Sequence, residues 1–384
     1  MRRGVALAAT AVLVFGASSA AAVTYRLTHN IKQVNIDKLL PGAAAKAKNP
    51  ADPNSGQPVN ILLLGSDARN GENAAIGGKV GGMRSDTAIV LHISGDRSRV
   101  EAVSIPRDSI VKIPACTMTN GKTTKSQTAT FNDAFAFGWD TGGDIASAAA
   151  CAMNTVQVNT GIHLDHFVVV DFSGFQQMVD AVGGVPICAP TVLQDDMTGL
   201  DLTAGMHTLN GVQALQFARA RHIKGTDGSD ITRIKHQQQL LGALAHQVLG
   251  KNVLTNAPQL ITFASAVTSS LTMDTHLTPA VTGLAYSIRN ISSANIVFMT
   301  IPWTPAPTDK NRVVWDSGAS QIWSDLAADT PIVPAQPAAT PTSTGSAGTP
   351  SARPTTTTTP AAAATSAAVS VQDVQNQATN SCAA

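Results

Sequence analysis

The sequence predicts an α/β domain of three layers, with helices on both faces of a central mixed β-sheet and a membrane helix ahead of it. Three observations carry this. Short apolar runs of strand character recur between residues 59 and 300. Capped segments of helical periodicity stand between them, the alternation that builds layered α/β folds. Ahead of both, residues 4–25 carry no charge, between Arg2-Arg3 and Arg26. The 384 residues, 13% charged and 4% aromatic, divide accordingly. Residues 1–26 read as an anchor or signal peptide, 27–58 as a linker, 59–330 as one extracytoplasmic domain, and 331–384 as a tail.

The uncharged N-terminal run, as a helix, rises about 33 Å, close to the ~30 Å hydrocarbon core. Arg2 and Arg3 place its short end in the cytoplasm and all that follows Arg26 outside. Ser19-Ala20-Ala21-Ala22 offers the small residues of a signal-peptidase site, so cleavage stays open. The run is longer than the usual h-region of about 7–15 residues, which favours an uncleaved anchor in a single-pass protein. Both readings export the domain. Residues 49–58, rich in Pro, Asn and Gly, read as a stalk.

The first strand is the apolar run 59–64, ended by Gly65. Residues 87–93 and 100–105 follow, joined through Ser94-Gly95-Asp96 as an antiparallel hairpin and stopped by Pro106. Residues 166–170 form a fourth strand. Residues 185–188 form a fifth, which Pro186 assigns to an edge, and residues 295–300 a sixth. Ser173 can cap a helix with Phe175, Met178, Val179 and Val182 on one face, ended by Gly183-Gly184. Asn210 can cap a second, through Ala214, Leu215 and Ala218. Ser229 or Asp230 can cap a third, long helix to Leu249. It turns Ile231, Ile234, Leu241, Leu244 and Val248 toward the core and is stopped by Gly250. The tail, rich in Pro, Ala, Thr and Ser, holds only Arg353 and Asp373 as charges and no aromatic. It predicts disorder.

Four cysteines suit an exported chain. None is spaced as CxxC, so no redox or zinc pair exists. Cys116–Cys151 is the favoured bridge, across the Thr/Lys/Ser-rich residues 117–130; Cys188 and Cys382 either pair or stay free. A net charge of +1 argues against a broad basic surface for nucleic acid. The sequence has no GxSxG elbow, Walker A loop, GxGxxG or HExxH. His163 and His166 alone do not make a zinc site.

The informative charges are scarce and abut strand ends and helix starts, where sites lie in layered α/β folds. Asp67 follows the first strand, Arg84-Ser85-Asp86 precedes the second, and Arg107-Asp108 follows the third. Arg219, Arg221, Asp230, Arg233 and Gln237 form the last grouping. On a helix Asp230, Arg233 and Gln237 point within about 60° of one another. Arg219 and Arg221, two apart, converge only where the helix has ended, before Gly225 and Gly228. Arginines aimed into one place repel unless an anion joins them, and the guanidinium fork suits phosphate oxygens. Asp67 and Asp86 suggest a divalent cation, since magnesium commonly takes one or two carboxylates plus substrate phosphates. Any one of these pairs alone is most often an ordinary surface ion pair; the joint placement points to a site.

These groupings resemble the LytR–CpsA–Psr family of envelope glycopolymer transferases over roughly half the chain, residues 59–249. The matching stretches begin with Leu63-Leu64-Gly65-Ser66-Asp67, Arg84-Ser85-Asp86-Thr87 and Val103-Ser104-Ile105-Pro106-Arg107-Asp108. Phe131-Asn132-Asp133-Ala134-Phe135, Asp180-Ala181-Val182-Gly183-Gly184-Val185 and Arg219-Ala220-Arg221-His222 with residues 230–238 complete them. The resemblance implies a three-layer fold and Mg²⁺, with Mn²⁺ as the alternative, held by Asp67 and Asp86. It implies that Arg107, Arg219, Arg221, Arg233 and Gln237 contact the pyrophosphate of a polyprenyl-linked glycan donor, its lipid lying between sheet and helices; Arg84 and Asp230, by their placement in the same groupings, are assigned to the same substrate site. On our reading Asp67, Arg107 and Arg219 are the catalytic residues, with Asp67 as the candidate base that accepts the hydroxyl proton and peptidoglycan as the acceptor. His236 stands where the family often has arginine. A lipid carrier without turnover and a pyrophosphohydrolase are the alternatives.

Overall fold

The computed structural model describes residues 29–40, 56–67, 82–226, 228–250, 265–269, 271–332 and 368–382. The N-terminal helix and most of the stalk lie outside them. Among the described residues no helix is long and apolar enough to cross a membrane.

In chain order the elements begin with β1 (Lys32–Val34), β2 (Val59–Ser66), β3 (Ser85–Ile93), β4 (Val100–Ile105), β5 (Ile110–Ile113) and β6 (Gln127–Thr130). Next come α1 (Phe131–Gly142), α2 (Ile145–Thr160), β7 (His166–Val170), α3 (Phe172–Ala181), β8 (Val185–Ala189), β9 (Leu193–Asp195), β10 (Leu200–Leu202) and β11 (Gly205–Leu209). The remainder are α4 (Gly211–Arg219), α5 (Asp230–Gly250), β12 (Leu271–Asp274), α6 (Leu277–Ser287), β13 (Ile296–Thr300), β14 (Trp303–Ala306), β15 (Asp309–Trp315), α7 (Ser317–Ala327), β16 (Val369–Ser370) and α8 (Val371–Cys382).

Eight strands form one mixed sheet in the order β1-β12-β7-β2-β3-β4-β13-β16. The expected hairpin is β3–β4, antiparallel, with Ser94 and Asp96 fastening its turn. β2 runs parallel to β7 and β4 parallel to β13. Strand alternation sorts the core onto two faces. Leu62, Leu64, Val90, Val103, Ile105, Phe167 and Val169 pack with α1, α2 and α7. Ile61, Ile93, Val100 and Val168 pack with α6 on the other face, and Ile89 and Ala102 with α5 and α8. These are the three layers. Coverage is unequal: Leu62, Leu64 and Val90 are 0–1% exposed, whereas Leu63 and Leu91, on the α5/α6 face of the central strands, are only half-buried.

A smaller module of α3, β8–β11 and α4 shares its core with one side of α5. The predicted strand at Pro186 belongs here, in a two-stranded hairpin with β11, and not to the main sheet. The first predicted helix begins one residue before Ser173, which lies inside it: the Asp171 carboxylate caps α3 by accepting the Gly174 N–H at 2.8 Å. Asn210 caps α4 as expected, in a capping box with Gln213.

Two segments differ from the sequence reading. The linker supplies β1, paired parallel to β12, because Ile31, Ile36 and Leu39 bury beside it. The tail is not disordered over residues 368–382. β16 adds to the β13 edge, and α8 lays Val371 and Val374 into the core. A Cβ built on Gly242 of α5 would stand 3.1 Å from Val374, so glycine permits this close helix approach. The tail's few apolar residues suffice because a sheet edge and a disulfide hold them. Both bridges form, Cys116–Cys151 and Cys188–Cys382, with Cα separations of 5.3 and 5.9 Å.

Candidate functional site

At the upper end of the sheet, where β2 and β4 finish and β3 starts, the β2–β3 register pairs Gly65 with Thr87 and Ser66 with Ser85. Asp86 is the residue skipped, and such a bulge re-aims a side chain. Its Oδ1 accepts from Arg107 Nη1 at 2.5 Å. The loop carrying Arg107 is fixed by the start of α1, since Phe131 and Asn132 donate their N–H groups to Ser109 O and Arg107 O. That is the structural work of the Phe131-Asn132-Asp133 stretch.

Asp230, at the first turn of α5, joins the loop to the helix. Its Oδ2 accepts the Arg107 backbone N–H at 3.1 Å, and its Oδ1 lies 2.5 Å from Arg233 Nη2 and 3.8 Å from Arg107 Nε. Arg233 also donates to Asp86 O at 2.6 Å. Arg221 lies near enough to act electrostatically on Asp86, Asp230 and Arg233. The structure thus gathers Asp86, Arg107, Arg221, Asp230 and Arg233 from four separate stretches of chain.

The half-buried Asp86 and the buried Asp230 respond differently. Burial pulls the Asp86 carboxyl upward, but the Arg233 and Arg107 guanidiniums outweigh it and hold the group below its ordinary value. Asp230 is deeper, and there burial prevails over Arg233 and Arg107 and raises it. Arginine nevertheless outweighs carboxylate in hydrogen-bonding capacity. The Nε atoms of Arg107, Arg221 and Arg233 are all buried without a hydrogen-bond partner, three donors against the one carboxylate oxygen, Asp230 Oδ1, that is likewise unpartnered. Buried donors are rarely left so, and a cluster of them calls for an acceptor.

The remaining predicted residues surround this cradle. Asp67 and Arg84 meet beside it: Asp67 N–H donates to Arg84 O, and Arg84 N–H donates to Asp67 Oδ1 at 2.6 Å. Arg219 stacks on the Phe172 ring, 4.5 Å from its centroid. Gln237 donates to Ala218 O at 3.2 Å and so ties α5 to the end of α4. His236 packs on Phe217, and burial lowers it, keeping it neutral. Among the described residues no group of three or more metal-ligating side chains gathers. Asp67 follows β2 and Asp86 lies at the start of its neighbour β3, and both are hard-oxygen donors. That fits Mg²⁺ completed by phosphate and water oxygens.

Two further residues join the cradle that were given no site role from the sequence. Buried Asp108 lies 3.5 Å from Arg107 Nε and 2.7 Å from Arg312 Nη1. Arg312 comes from β15, which meets the Arg107 loop through the Ser109–Val313 bridge. The doublet Arg107-Asp108 hinted at the first; nothing local marks the second.

A mixed sheet whose end gathers guanidiniums around two carboxylates defines an α/β protein with an arginine-rich site at the end of its sheet. The LytR_cpsA_psr family model matches residues 13–327, and the chain belongs to that family. It is 31% identical to the cell wall biosynthesis protein LcpA of Corynebacterium glutamicum over 263 residues, 64% of this chain and 50% of that protein. Against the polyisoprenyl-teichoic acid–peptidoglycan teichoic acid transferase TagU of Enterococcus faecalis it is 30% identical over 231 residues, 60% of this chain and 67% of that protein. The match to LcpA spans about half of that relative's length. Among solved structures, the LytR-Csp2A-Psr enzyme from Actinomyces oris superposes with a TM-score of 0.54 at 20% identity, covering 77% of this chain and 96% of that one. TagT bound to LI-WTA does so with the same score and identity, covering 77% and 99%. These likenesses show the fold.

Proposed function

We propose that the chain is an extracytoplasmic glycopolymer phosphotransferase, held at the membrane by its N-terminal segment. It moves a glycan from a polyprenyl-pyrophosphate carrier to a hydroxyl of peptidoglycan. The observation that supports this best is the set of three buried, unpartnered guanidinium Nε–H groups around Asp86 and Asp230. The half-buried Leu63 and Leu91, on the same strands as the site and beneath Leu241 and Ala245 of α5, supply an apolar path for a lipid. The transferase naming of TagU is consistent with it.

In this reading the acceptor hydroxyl attacks the glycan-proximal phosphorus. A phosphodiester forms, the pyrophosphate P–O bond breaks, and polyprenyl phosphate leaves. Arg107, Arg221 and Arg233 take the charge that builds on the leaving phosphate, a fixed electrostatic environment that needs no rearrangement at the moment of reaction. Asp86 and Asp230 hold these arginines in place and prevent their mutual repulsion. Arg219 and Arg84 bind the donor at the margins, and the Asp67 carboxylate accepts the hydroxyl proton. Mg²⁺, held by Asp67 and Asp86, would neutralise phosphate charge.

The test is release of polyprenyl phosphate from a lipid-pyrophosphate glycan donor by the purified chain with Mg²⁺ and peptidoglycan. Turnover is expected, and Arg107→Ala is expected to reduce it by about a hundredfold or more. Tight lipid binding without turnover would make the protein a carrier. Free glycan phosphate in the presence of excess acceptor would make it a pyrophosphohydrolase.

A further inference from the structure

Helix α4 ends at Arg219, and Ala220 is already extended, with φ −62° and ψ 121°. Continued as a helix, Arg219 and Arg221 would point about 200° apart. The turn that redirects Arg221 is held from a different part of the small module. Asp195, the last residue of β9, is 1% exposed. Its Oδ2 accepts the backbone N–H groups of both Arg221 and His222 at 2.8 Å. Its Oδ1 accepts those of Met197 at 2.9 Å and Thr198 at 3.3 Å. Beside it, Gln194 O accepts the Lys224 N–H at 3.0 Å, so the end of β9 grips the stretch that follows α4 at two points.

Four backbone N–H groups thus donate to the Asp195 carboxylate. Burial pulls this carboxyl upward, but the His222, Met197, Arg221 and Thr198 N–H groups hold it below its ordinary value. The charge is therefore retained in the interior, where an unneeded one is costly. An asparagine could serve only one of the two oxygen positions, because its amide NH₂ would face N–H donors.

We propose that Asp195 is a positioning residue for the transfer reaction, clamping the chain after α4 so that the Arg221 guanidinium enters the phosphate cradle. This rests on the function proposed above. Asp195 touches neither donor nor acceptor; it acts through Arg221. Pre-setting a charged group in this way avoids reorganisation when substrate binds.

The test is a double-mutant cycle on the full chain, reading kcat/KM for the lipid-pyrophosphate donor in wild type, Asp195→Asn, Arg221→Ala and the double variant. Asp195→Asn is expected to lower kcat/KM about tenfold, the loss of one or two hydrogen bonds to a charged group. In the Arg221→Ala background the same change is expected to cost less than about twofold, because the group it positions is gone. A merely structural carboxylate would give losses that multiply, and that result, or an unchanged kcat/KM in Asp195→Asn, overturns the proposal. If Asp195→Asn does not fold, Asp195→Glu, which keeps the charge but displaces it by one methylene, is put through the same cycle with the same expectation. Wild type without transfer activity on any donor would instead refute the function itself.

Discussion

At the lower end of the sheet Arg99 reaches from β4 to Glu101 Oε2 at 3.3 Å and Asp329 Oδ1 at 2.6 Å. His92 has partners at both ring nitrogens, Asn60 Oδ1 at 2.7 Å and Asp329 Oδ1 at 3.1 Å. The second Asp329 oxygen accepts the Gly95 N–H, and Glu101 Oε1 accepts that of Ile332. At the upper end the same residue types meet, but Arg107, Arg221 and Arg233 each keep a buried Nε–H without a partner. In the lower network Arg99 spans two carboxylates, and Arg97 in the adjoining turn also has a buried Nε without a hydrogen-bond partner. The upper one holds more guanidinium donors than its carboxylates take up. One sheet thus carries a polar cluster that ties residues 329 and 332 to the hairpin, and another in which guanidiniums from separate stretches of chain converge. What distinguishes the upper end is that three such guanidiniums gather in one place.

The contrast is sharpest in paired substitutions. Arg107→Ala is expected to remove about a hundredfold or more of turnover and to shift Tm little. Arg99→Ala is expected to do the reverse. It leaves the buried Glu101 carboxylate without its cation, at a cost of about 3 kcal/mol, or roughly 5–10 °C in Tm, while kcat/KM in the surviving folded protein stays near wild type. Equal loss of activity in both variants would erase the distinction between the two ends.

Acidification should act next, through the two histidines whose values burial lowers, His92 at the lower end and His236 beside the site. Burial lowers the His92 pKa, so the folded state favours the neutral ring. Its contribution is complete above the unfolded value of about 6.5 and declines as pH falls below it, because the unfolded chain then binds the additional proton. Asp86, held below the carboxylate range, keeps its contribution down to about pH 4 and loses it only as pH falls further, through its depressed folded value. Thermal unfolding followed from pH 7 to 5 should therefore show a decline that His92→Gln reduces and Asp86→Asn does not.

Much of this was legible in the sequence. The central strands were, because β2, β3, β4 and β7 are short apolar runs bounded by turn residues. So was α5, whose Asp230 and Arg233 share a face. The cradle could be read because charge is scarce and its arginines abut strand ends. α1 and α2 were not: α2 is rich in alanine and buried on most sides, so its amphipathic period is lost. β1, β12 and β16 are two to four residues long and owe their structure to strand pairing. Asp195 and Arg312 act through contacts with residues far away in the chain, and no local spacing marks such roles.

Calorimetric titration of farnesyl pyrophosphate with Mg²⁺ tests the central claim most directly. One-to-one binding is expected for wild type and for Arg99→Ala, and at least about tenfold weaker binding for Arg107→Ala, which loses charge-assisted bonds to phosphate. Equal affinity in wild type and Arg107→Ala, or no binding in wild type, would contradict a guanidinium cradle for linked phosphates at the upper end of the sheet.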